Sequence, residues 1–161
     1  KNKFNFNGLV DRFIMRKRYM SKLNYNERQW FFKAVVLMII ADKSVADEEV
    51  EELKQTVQQM AGPNYQGISD VLKSPNLMAP LKPLKNIKYD KALIIIFELA
   101  RIAALDSKVV LEESALLNEI LSLLDFKKEA VDDVIAWAKR LALVNKEEEQ
   151  LKNDLKLFYK G

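Results

Sequence analysis

The 161-residue chain has no cysteine and no histidine. Without cysteine there are no disulfides, no thiolate nucleophile and no cysteine-based zinc site. Without histidine the commonest general base, the commonest transition-metal ligand and every Ser-His triad are gone. Any catalysis would fall to carboxylates, Lys, Tyr or an oxygen-bound metal, so the chain is expected not to be an enzyme. Glycine and proline are scarce, four of each, which removes most helix breakers. Long apolar runs are also lacking. The longest clean one is Ala34 to Ala41, far short of the ~20 residues that span a bilayer. The opening "KNKFNFNG" has neither an initiator Met nor a signal-peptide pattern. The expected location is cytoplasmic, or at a membrane through regions outside this chain.

What the chain does contain favours helix. Apolar residues make up 49% and charged residues 30%, a balance that suits a folded domain with a sizeable core. The pattern predicts an all-α single domain over 1–161, with about eight helices and no strands. Residues 8–22 read as a basic amphipathic helix within an N-terminal extension over 1–25. Asn26 can cap a helix from Glu27 to Ala41, and the run from Trp30 to Ile40 leaves almost no polar face, the mark of a buried central helix. Asp47 to Ala61 packs through Val50, Leu53, Val57 and Met60. A short helix "ISDVLKS" and a crossover with Pro75, Pro80 and Pro83 follow. Asp90 to Leu105 repeats the buried type. Glu112 to Leu124 and Lys128 to Asn145 are amphipathic, and a last helix, Lys146 to Tyr159, is expected to pack through Leu151, Leu155 and Phe158.

The net charge of +3 is unevenly spread. Residues 1–33 carry nine Lys/Arg against Asp11 and Glu27, a net of +7, whereas residues 42–52 carry six acids against Lys43, a net of −5. Such separation points to polar faces with different partners, or to solvated helix faces. The basic candidates are Arg12, Arg16, Lys17, Arg18 and Lys22, which would suit an anionic lipid or nucleic acid. No nucleic-acid motif accompanies them.

The acidic stretch "ADKSVADEE" directly follows a buried helix, and a looser copy, "LDSKVVLEE", follows the second one 64 residues later. Asp42 matches Asp106, Val45 matches Val109, Glu48 matches Glu112, Glu49 matches Glu113 and Leu53 matches Leu117. The chain thus reads as two related halves: buried helix, acidic turn, amphipathic helix. One reading is purely structural, since Asp in a turn can accept amide hydrogen bonds and acids in a first helical turn meet its positive end. The other is a binding site: Asp42, Asp47, Glu48, Glu49, Asp106, Glu112 and Glu113 are candidates for a protein partner. Asp42, Glu49, Asp106 and Glu113 would be ligands of a weak Ca²⁺ or Mg²⁺ site, hard cations that favour oxygen. No cofactor is required. An EF-hand is excluded by spacing, because Ala46 and Asp47 stand where an oxygen ligand and the invariant glycine belong.

With these residues the chain resembles the tellurite-resistance TerB-like helical family over roughly 26–145. The family pattern A-D-G-x-V-x-x-x-E is met by Asp42, Val45 and Glu49 and again by Asp106, Val109 and Glu113, with Lys43 and Ser107 in place of the usual glycine. The resemblance implies an all-α binding or scaffold module with an acidic site, in a stress or metal-resistance setting. One such domain occurs in a membrane-anchored DnaJ-type co-chaperone. The leading expectation is a non-catalytic interaction module. The alternatives are an adaptor for an anionic surface through the basic helix and a carboxylate- or metal-dependent enzyme.

Overall fold

Glu27 and Asn24 begin the first helix with reciprocal hydrogen bonds. The Glu27 amide donates to Asn24 Oδ1 at 2.9 Å, and the Asn24 amide donates to Glu27 Oε1 at 2.8 Å. This is a capping box, which satisfies two of the amides a helix start leaves orphaned. The cap is therefore Asn24 and not Asn26. The residue two positions earlier has the glutamate three places on that the box requires, and Asn26 lies inside the helix. Asn24→Ala is expected to lower stability by about 1 kcal/mol, read as a shift of the urea midpoint at unchanged slope.

The structure is a computed structural model and describes residues 7, 8, 10, 11, 20–41, 50–61, 81–105 and 111–161. Among these residues it is all helical, with five helices and no strand: α1 Tyr25–Ala41, α2 Val50–Ala61, α3 Tyr89–Ala103, α4 Leu111–Ser122 and α5 Lys128–Lys156. Residues 7, 8, 10, 11 and 20 have helical backbone, within or beside the expected basic helix. The expected helix "ISDVLKS" and all three prolines of the crossover except Pro83 lie outside the described residues.

α1 is the centre. Trp30, Phe31, Phe32 and every residue from Ala34 to Ile39 are buried, as a helix without a polar face requires. It touches α2, α3 and α4. α2 buries Leu53, Val57 and Met60 and turns Glu51, Glu52 and Gln59 to water. α4 buries Leu116, Leu117 and Ile120, and Leu124 just beyond its end is also buried. α3 buries Ile95, Ile96, Leu99 and Ile102, with Leu93 and Ile94 half-buried.

The end of the crossover is fixed at three points. Leu81 is buried, the Leu84 amide donates to Leu123 O at 3.0 Å, and Trp30 Nε1 donates to Lys82 O at 2.6 Å. An indole N–H inside a core needs such an acceptor. Asn86 and Asp125 hold left-handed backbone, φ 62° and 64°. Asn and Asp are the non-glycine residues that tolerate it best, and each sits in a turn leading to the next helix.

The largest departure from the sequence reading is at the C-terminal end. Lys128 to Asn145 and Lys146 to Tyr159 are not two helices. α5 runs unbroken for 29 residues, because nothing between Leu143 and Glu149 breaks a helix. Asn145 does not end it. Its Nδ2 donates to Ala104 O at 3.1 Å and so satisfies a carbonyl at the exit of α3. Beyond Asn145, Lys152 Nζ bridges Glu148 at 3.2 Å and Glu149 at 3.5 Å, each within one turn, pairs that support an exposed helix. Nor do Leu151, Leu155 and Phe158 pack inward: they are 56%, 56% and 78% exposed.

Candidate functional site

Of the acidic candidates, Asp42, Asp47, Glu48, Glu49 and Asp106 lie outside the described residues. Glu112 and Glu113 fall in the first turn of α4 by their backbone. The acids that are placed beside the first turn are Glu51 and Glu52, exposed in the opening turn of α2. There they meet the positive end of the helix dipole. Among the described residues no group of three or more Asp or Glu is arranged to hold a metal ion. Of the basic candidates, Arg12, Arg16, Lys17 and Arg18 also lie outside the described residues, and Lys22 is exposed in the turn before α1. No described helix is long and apolar enough to cross a membrane.

The starts of the two buried helices are joined. Lys91 Nζ, in the first turn of α3, lies 3.2 Å from Glu27 Oε1, in the first turn of α1. Glu27 is 8% exposed. It therefore serves two ends at once, capping α1 with one set of contacts and drawing α3 alongside with the other. A carboxylate this deep needs both charge and hydrogen-bond compensation, and it has them.

A second buried carboxylate lies further along α3. Glu98 is 4% exposed, and Arg101 Nη1 meets its Oε1 at 3.2 Å. The Arg101 guanidinium stands 5.8 Å from the Phe97 ring centroid and 5.5 Å from that of Trp137. The two rings meet edge to face at 5.2 Å. A planar cation against two aromatic faces, tied to a buried acid, clamps α5 onto α3. The sequence reading named none of these four as candidates. The signal was present, a glutamate in the otherwise apolar run "LIIIFELA" with an arginine three residues on, since a charge at that depth is rare without a partner.

Between α4 and α5 lies a shallow groove of ≈ 380 Å³ lined by Ser114, Asn118, Lys128, Asp132, Ile135 and Lys139, among others. On its α5 wall Lys128 and Asp132 already pair with each other at 3.3 Å, one turn apart. The groove has polar walls but no buried, convergent polar group of the kind that marks a small-molecule site. No family model matches this chain, and no curated protein or solved structure is found to match it.

Proposed function

We propose that the chain is a non-catalytic interaction module of the TerB-like type, in which two acidic turns bind a protein partner or, weakly, a divalent cation. In this reading α1–α2 and α3–α4 are two copies of one plan. The observation that carries it is the common origin of the two buried helices. Lys91 and Glu27 hold their starts together, the helices lie against each other, and they run for 17 and 15 residues before the chain enters its two acidic stretches. A difference of two residues is about 3 Å of rise; in this reading the two helices stay aligned over their length and the two stretches leave from the same end of the body. Several carboxylates gathered there repel one another unless a cation or a basic partner relieves them. The whole sequence offers no histidine or cysteine for chemistry at such a place.

The sign of a stability change tests the proposal. In the combined variant Asp42→Asn, Glu49→Gln, Asp106→Asn, Glu113→Gln, a binding site loses its mutual repulsion. Thermal stability is then expected to hold level or rise, and the unfolding shift produced by Ca²⁺ or Mg²⁺ in the unmodified chain is expected to disappear. Acids that only close turns give the opposite sign, a loss of about 0.5–2 kcal/mol for each change. That loss, together with no response of the unmodified chain to either cation or to a basic peptide, would overturn the reading.

A further inference from the structure

The long helix α5 carries an apolar seam that outlasts its packing partner. α3 and α5 run parallel: Tyr89 meets Phe126 at 6.3 Å between ring centroids, Phe97 meets Trp137 at 5.2 Å, and Ala104 accepts from Asn145 at 3.1 Å. α3 ends at Ala103, whereas α5 continues to Lys156, about 16 Å past Asn145 at 1.5 Å per residue. Along α5 a heptad register holds throughout. Val134, Leu141, Glu148 and Leu155 take one seam position, and Ala130, Trp137, Val144 and Leu151 take the other, with Phe158 two residues past the helix end. The lower part is half-buried in the body, with Trp137 on Phe97. The upper part, Val144, Leu151, Leu155 and Phe158, is exposed at 55%, 56%, 56% and 78%. A stripe one or two residues wide suits a partner helix, because a flat apolar surface calls for a broader face.

The flanking charges select the partner. Glu147 borders the seam on one side and Lys152 on the other. In a parallel pair of identical helices, the position of Glu147 faces the position of Lys152 on the other copy, and the contact occurs twice by symmetry. In an antiparallel pair, the flank bearing Glu147 and Asp154 would meet its own kind. We propose that this seam pairs, parallel and in register, with the same seam of a second copy of this chain. Glu148 is the one charged residue in the seam. It is bridged by Lys152 of its own helix at 3.2 Å, and a single polar seam residue fixes register while weakening the pair. The contact is small, so the pair forms and separates with concentration. The seam shares no residue with the acidic turns, so its failure would leave the proposed function standing.

Sedimentation equilibrium of the full chain from low micromolar to millimolar concentration is the test. The apparent mass is expected to rise from 18.6 kDa towards twice that value. Leu151→Glu with Leu155→Glu is expected to hold it at the monomer, with circular dichroism confirming that the body stays helical. Glu147→Lys alone is expected to weaken association about five- to tenfold, because two attractive pairs become repulsive. Lys152→Glu alone should do the same, and mixing these two variants should restore the affinity. Glu148→Leu is expected to strengthen it. A chain that stays monomeric throughout would overturn the proposal. So would an association that the leucine changes leave intact, or one that Glu147→Lys strengthens as an antiparallel pair would require.

Discussion

Leu37→Ala is expected to cost about 4 kcal/mol, near the upper end of the range for a buried leucine, measured as a fall in the urea midpoint. Leu37 is fully buried in the middle of α1. Part of the cost of such a change is the lost transfer energy of the removed carbons, and the rest depends on how far the neighbours can close the gap. Here they can close little of it. α1 is flanked by α2, α3 and α4, and its immediate neighbours Val36 and Met38 are themselves buried, so no solvent-facing side can relax inward. The same substitution at Leu151, more than half exposed on the projecting part of α5, is expected to stay within about 0.5 kcal/mol at concentrations where the chain is monomeric. The contrast separates burial from helix propensity, which changes equally at both sites.

Composition made the helical class legible, and periodicity located the inward faces of α2 and α4. α1 was legible because Trp30 to Ile40 has no polar side to turn outward. The exposed tail of α5 was not, because periodicity reports that a helix has an apolar face and is silent on whether anything covers it. Leu151 and Leu155 have the spacing of core residues but lie on the part of α5 that runs on past the end of α3 at Ala103, and both are more than half exposed. The false boundary at Asn145 has a related cause. Asn is a common helix terminator, and only the position of Ala104 reveals that its amide is spent on another helix. The cap was read as Asn26; the residue that caps is Asn24, which has the glutamate three places on that the capping box requires. The candidate acids around Asp42 and Asp106 were found by repetition of a pattern. Residues 42–49 and 106–110 fall outside the described residues, while Glu112 and Glu113 open α4.

The clamp between α3 and α5 carries the second large effect. Arg101→Ala is expected to cost about 3 kcal/mol. This combines a charged hydrogen bond of roughly 1.5–3 kcal/mol with cation–π contacts of roughly 0.5–2 kcal/mol. Glu98→Gln alone is expected to cost less, about 1 kcal/mol. An amide fills the same space without a charge to desolvate, and Arg101, a quarter exposed, can turn its guanidinium towards water. The double variant is then expected to cost clearly less than the two singles together. The carboxylate that makes the loss of Arg101 expensive is gone from it, so the cycle should close with a coupling of about 1–2 kcal/mol. Arg101→Lys is the discriminating single change. It keeps the charge but loses the planar guanidinium held near both the Phe97 and Trp137 rings, so it should recover only part of the loss. Full recovery by Lys would mean that charge alone holds the two helices, and a double variant that costs the sum of its singles would mean that Glu98 and Arg101 act independently. The readout is urea unfolding of each variant followed by Trp137 fluorescence, with Trp30→Phe as the background so that the one remaining tryptophan reports from the clamp itself.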